Sequence, residues 1–162
     1  FAGLIVAADY SLDINGILPK SGGRTSMRFG TKLFYTDTYE QVPFAGQQAI
    51  QQAGTVAVPK WRVQANIGAT LGAVDLDFQI LWRDKTKFSH DATFEDTPIN
   101  DVGAYTLVNG TLGVNVSDKF RLQFIVNNIF DRDVPYAAIV RRSFGAFDIL
   151  GRNFMVTATT GF

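Results

Sequence analysis

Apolar and polar residues alternate with a period of two along most of this chain, and seven segments carry the alternation far enough to predict strands. The third is the plainest: Trp61, Val63, Ala65, Ile67, Ala69 and Leu71 are apolar, with Arg62, Gln64, Asn66, Gly68 and Thr70 between them. Before it, Leu4, Val6, Ala8, Tyr10 and Leu12 alternate with Gly3, Ile5, Ala7, Asp9 and Ser11, and Met27, Phe29, Leu33 and Tyr35 alternate with Arg28, Gly30 and Lys32. After it, Val74, Leu76, Phe78, Ile80 and Trp82 form one face of a fourth strand, with Asp75, Asp77, Gln79 and Arg83 on the other. A fifth carries Val108, Leu112, Val114 and Val116, and a sixth Phe120, Leu122, Phe124, Val126 and Phe130. The last runs through Phe154, Val156 and Ala158, opposed by Asn153, Thr157 and Thr159, to a terminal Phe162.

Parity predicts how these strands pair. The apolar positions switch from odd to even between the third and fourth strands, so a two-residue turn at Gly72 and Ala73 sets Leu71 against Val74 and Gly68 against Asp77. Parity stays even between the fifth and sixth, which predicts a three-residue loop, 117–119. Asn15, Gly16, Pro19, Gly22 and Gly23 punctuate the first connection. Connections after the second, fourth and sixth strands (38–59, 87–103 and 131–150) are much longer than those after the first, third and fifth.

That inequality has a direction. Outer-membrane barrels have short periplasmic turns, long extracellular loops and strands of about 10 residues. With Phe162 periplasmic, every long connection lies outside. Tyr35, Trp61, Trp82, Phe130 and Phe154 then fall at the outer ends of their strands, as membrane-interface aromatics do. A β-sandwich explains the alternation but gives no reason for this banding. The expected fold is all-β: an antiparallel up-and-down transmembrane β-barrel segment of about seven strands.

Composition removes other classes. No apolar run in the 162 residues approaches the roughly 18 to 20 needed for a membrane helix. Fifteen basic and fifteen acidic residues leave no net field to attract nucleic acid. Without cysteine there is no disulfide framework or thiolate metal site.

The sixth strand and its exit read Asn127, Asn128, Ile129, Phe130, Asp131, Arg132, Asp133, and the last strand opens Gly151, Arg152, Asn153, Phe154. This pair resembles the end of TonB-dependent outer-membrane receptors, where an Asn, Leu, Phe, Asp-type stretch leaves the penultimate strand and the last begins Gly-Arg and ends in Phe. Pro59, Lys60, Trp61 and Arg62 also resemble a feature of that family. Ile129 stands for the usual Leu, and Val134 and Pro135 precede Tyr136 where the Tyr often comes sooner. The resemblance implies a 22-stranded barrel filled by an N-terminal plug, of which residues 1–162 are the C-terminal portion, without the plug. It implies active uptake of a scarce ligand, such as a siderophore-like chelate, across the outer membrane of a Gram-negative bacterium. The partners implied are lipid and lipopolysaccharide, the rest of the barrel and its plug, a TonB-type energy-coupling protein acting through that plug, and the barrel-assembly machinery, for which Phe162 is the signal.

Little points to catalysis. The sole histidine, His90, lies among Asp91, Glu95, Asp96 and Asp101, but no ligand spacing matches a metal loop, and a lone histidine makes no triad. No enzyme activity, metal or cofactor is expected. Arg28, Lys32, Arg62, Gln64, Asn66, Asp75, Asp77, Gln79, Arg83, Asn109, Asn115, Arg121, Gln123 and Asn127 are read as facing a hydrated lumen and plug. Ligand candidates are residues of the long connections: Tyr39, Gln41, Phe44, Gln47, Phe88, His90, Tyr136, Arg141, Arg142 and Phe144, the arginine pair being suited to an anion. Two alternatives stay open: a complete eight-stranded outer-membrane barrel, structural or adhesive, with its eighth strand in 38–59 or 87–103, and a soluble ligand-binding β-barrel or sandwich.

Overall fold

A computed structural model describes residues 1–15, 24–95, 98–135, 147 and 149–161. Among them there is no helix. Seven strands form one antiparallel sheet: β1 (Ala2–Asp13), β2 (Thr25–Thr38), β5 (Trp61–Leu71), β6 (Val74–Arg83), β9 (Tyr105–Ser117), β10 (Phe120–Asn127) and β11 (Asn153–Thr160). Chain order is spatial order, so the topology is up-and-down. Two ribbons of two-residue strands lie in the long connections: β3 (Glu40–Gln41) with β4 (Ile50–Gln51), and β7 (Thr86–Lys87) with β8 (Asp101–Val102). Neither of those connections contains an eighth long strand among the described residues.

The register keeps one face apolar across the whole sheet. Tyr10, Phe29, Ile67, Phe78, Gly110, Val126 and Phe154 follow one another from β1 to β11, and Leu12, Met27, Ala69, Leu76, Leu112, Phe124 and Val156 make the adjacent row. Leu71 pairs with Val74 and Gly68 with Asp77, as parity requires. The β9–β10 connection differs from expectation. Its turn has two residues, Asp118 and Lys119, and the parity is restored inside β9, where Phe120 pairs with Ser117 but Arg121 with Asn115. Val116 is the extra residue, so a bulge does what a third loop residue would have done. The sixth strand also ends earlier than the alternation suggests. Asn128 adopts φ 52°, which stops β10 at Asn127 and leaves Phe130 in an exposed turn beyond it.

The sheet is open. Among the described residues β1 pairs only with β2 and β11 only with β10, so each presents one unpaired edge. The apolar face has no second layer among the described residues: Leu4, Val6, Tyr10, Leu12, Phe29, Trp61, Ile67, Leu71, Leu76, Phe78, Leu112, Phe124, Phe154 and Val156 are all exposed. What core exists is on the opposite face, at the end where the long connections lie. Val56, Val102, Tyr105 and Phe147 are buried there, with Phe88, Leu107 and Val134 packed against them.

Candidate functional site

The polar face divides along the strands into two zones. Its middle and inner parts carry a charge network built across five strands. Arg28 on β2 meets Asp77 on β6 at 3.2 Å and donates to Thr70 Oγ1 on β5 at 3.1 Å. Thr70 donates to Asp75 Oδ1 at 2.9 Å, and the other oxygen of Asp75 meets Arg121 on β10 at 2.8 Å. Arg121 in turn donates to Asn115 Oδ1 on β9. Glycine makes the room: a Cβ on Gly68 would lie 2.5 Å from Asp77 Oδ1, and one on Gly113 would collide with the Arg121 guanidinium. Above this network runs a row of amides, Asn66, Gln79, Asn109 and then Asn127 with Asn153, in which Asn109 donates to Gln79 at 3.2 Å and Asn127 to Asn153 at 2.9 Å. Lys32 sits beside Gln64 in the next row.

The outer zone is different in character. Ile5, Phe34, Leu81, Tyr105 and Leu107 interrupt the polar pattern, around the opposed pair Arg62 and Arg83. Here the long connections fold inward over the sheet. Arg83 Nη2 donates to Val56 O at 2.5 Å, and its guanidinium lies 4.6 Å from the Phe147 ring. Phe147 meets Tyr105 edge-on at 5.4 Å, and Tyr105 donates to Arg132 O at 3.3 Å. Main-chain bonds from Val56 to Lys87 and from Lys87 to Gly54 join the first two connections. Arg62, Gln64, Arg83, Tyr105, Phe88 and Phe147 line a cavity of about 850 Å³ between these connections and the wall.

The candidate loop residues occupy separate places. Phe88 joins the buried cluster, and His90 Nε2 lies 2.7 Å from Ala53 O, tying the second connection to the first. Tyr39 packs edge-on against Phe1 at 6.0 Å, while Gln41 and the exposed Phe44 belong to the β3–β4 ribbon and its turn, away from the cavity lining. Tyr136, Arg141, Arg142, Phe144 and Phe162 lie outside the described residues. No group of three or more His, Asp or Glu side chains among the described residues is arranged to hold a metal ion.

The Asn127–Asp133 and Gly151–Phe154 segments form a clasp. Asn128, fully buried, uses its amide to bridge both backbone groups of Arg132, donating to O at 3.0 Å and accepting from N at 2.8 Å, while its own N–H donates to Asn109 Oδ1. Asp131, at φ 52°, accepts from Arg152 N at 2.9 Å. Gly151 has φ 66°, with Asp131 Oδ1 3.3 Å from where a Cβ would be. These residues hold the exit of β10 to the entry of β11.

On the apolar face, Tyr35 and Trp61 stack with centroids 4.3 Å apart, Trp82 follows one row lower, and Phe154 two rows below that. The cavity was missed by reasoning from alternation alone, although Tyr105, Leu107 and Leu81 signalled it by being apolar on a polar face. No family model, curated protein or solved structure matches the chain.

Proposed function

We propose that this chain is part of the barrel wall of an outer-membrane transporter of the TonB-dependent receptor type, and that its inward-folded connections form part of the external ligand-binding mouth. The observation that carries the reading is an inversion. The apolar face is bare and the polar face is roofed by the long connections, where a soluble β-protein would bury the apolar side. An apolar band outside and hydrogen-bonding groups inside is what a lipid-embedded, hydrated barrel requires. The clasp joining Asn128, Asp131, Gly151 and Arg152 gives the resembled family pattern a physical purpose. In this reading the open edges of β1 and β11 pair with further strands of a larger barrel. The charge network and amide row face a plug on which an energy-coupling protein acts, and ligand enters from the roofed end.

Cell fractionation tests the proposal. The protein is expected in outer membranes, resistant to alkaline carbonate and released by detergent. Recovery in the soluble fraction without detergent would overturn it in favour of a soluble ligand-binding protein.

A further inference from the structure

Toward β1, the polar face holds a second cavity of about 360 Å³, whose lining includes Asp9, Ser11, Arg28, Asn66 and Asp77. Glycines make its floor. The Asp9 carboxylate reaches from β1 over β2, where a Cβ on Gly30 would lie 2.8 Å from its Oδ1. The Asp77 carboxylate reaches from β6 over β5, where it and the Arg28 guanidinium cover Gly68. Gly30 pairs with Asn66 and Arg28 with Gly68, so the two aspartates lean toward each other over diagonal positions of adjacent strands. Such positions are about 7–8 Å apart. Arg28 is committed to Asp77 and Thr70. The Asp9 carboxylate, the Ser11 hydroxyl and the Asn66 carboxamide make no hydrogen bond or ion pair among the described residues. Lys32, two residues along β2 from Gly30, neither lines the cavity nor pairs with Asp9.

The cavity therefore carries one carboxylate in excess, with uncommitted acceptors beside it. An anion is repelled there, and a metal ion finds no group of three acidic or histidine ligands among the described residues. We propose that this cavity binds a guanidinium group, with its fork on Asp9 and its plane on the glycine floor. A guanidinium presents five donors in one plane, enough to meet the carboxylate bidentately and still reach Ser11 and Asn66. An ammonium has three donors and no flat face. The inference goes beyond the transporter reading: the cavity lies on the face assigned to the lumen, but its chemistry stands on these residues alone.

The test is equilibrium dialysis of acetylarginine amide, with acetylcitrulline amide as its neutral isostere, against the protein in whichever cell fraction contains it. Low ionic strength is used because exposed charges are screened by salt. The arginine amide is expected to bind saturably and about tenfold more tightly than the citrulline amide. Asp9→Asn should remove most of that difference and leave the citrulline amide unchanged. Arg28→Gln should act in the opposite direction and tighten the arginine amide, because it removes the only cation in the described lining and frees Asp77. Methylguanidine separates two sources of the group: affinity equal to that of the arginine amide assigns the site to free guanidines, and weaker binding assigns it to arginine in a peptide. Equal affinity for the two amides, no saturable binding, indifference to Asp9→Asn, or unchanged or weaker binding in Arg28→Gln would each overturn the proposal. Asp9-dependent binding by soluble protein would support the site while removing the transporter reading. Membrane-embedded protein that ignores the arginine amide would do the reverse.

Discussion

Asn128 is held in the left-handed region, where most side chains are strained, and its carboxamide is spent on both backbone groups of Arg132. The two contributions can be separated by substitution. Asn128→Gly keeps the backbone conformation accessible and loses only the side-chain bonds, for about 1–2 kcal/mol, whereas Asn128→Ala adds backbone strain for about 2–4 kcal/mol in all. Urea unfolding of the protein in lipid vesicles should rank wild type, Gly and Ala in that order. Equal loss from both would mean that the backbone conformation contributes nothing. At Gly113 the requirement is space, because the Arg121 guanidinium lies where a Cβ would project. Gly113→Val should push Arg121 off Asp75 and cost about 1–2 kcal/mol, and in an Arg121→Ala background, where that pair is already gone, the same substitution should cost much less. Additive losses in that double-mutant cycle would show that the two positions are not coupled.

Among the elements, β5 and β6 were legible to the residue because their apolar faces alternate without a break and the two-residue turn allows one register. The β9–β10 hairpin was legible in parity but not in form, since a bulge and a longer loop satisfy the same alternation. The roofed cavity was the least legible. Tyr105, Leu107 and Leu81 break the pattern within their strands, but their partners Val56, Val102 and Phe147 come from connections with no periodicity to read. The faces themselves yield a prediction at this scale. Ile67 and Asn66 are neighbours near the middle of β5, on the apolar and polar faces respectively. If the apolar face meets lipid, Ile67→Arg should destabilise by about 2–4 kcal/mol, and Asn66→Arg, on the hydrated side, by well under 1 kcal/mol. Urea titration of the vesicle-bound proteins measures both. A harmless Ile67→Arg would mean that this face is in water.

The geometry of the whole sheet fits strands inclined to a membrane. Going from β2 to β11 crosses five strand spacings, and the aromatic at the outer end descends from Tyr35 to Phe154 by three rows, or six residues. At about 3.4 Å per residue and 4.8 Å between strands, a level aromatic band therefore needs a tilt of about 40°, within the range of outer-membrane barrels. Closure is the missing element, for β1 and β11 each leave an edge unpaired. In hydrocarbon, every unsatisfied backbone group on those edges costs several kcal/mol, which no side-chain contact within the seven strands offsets. Residues 1–162 expressed alone are therefore expected to show no heat-modifiable band in detergent electrophoresis, since that behaviour reports a closed barrel. Under mild detergent, amide exchange should be fastest in β1 and β11 and slowest in β5, β6 and β9, where both neighbours are present. A compact heat-modifiable monomer with β1 and β11 as protected as β6 would mean that the two edges meet. The larger barrel would then give way to a small closed one.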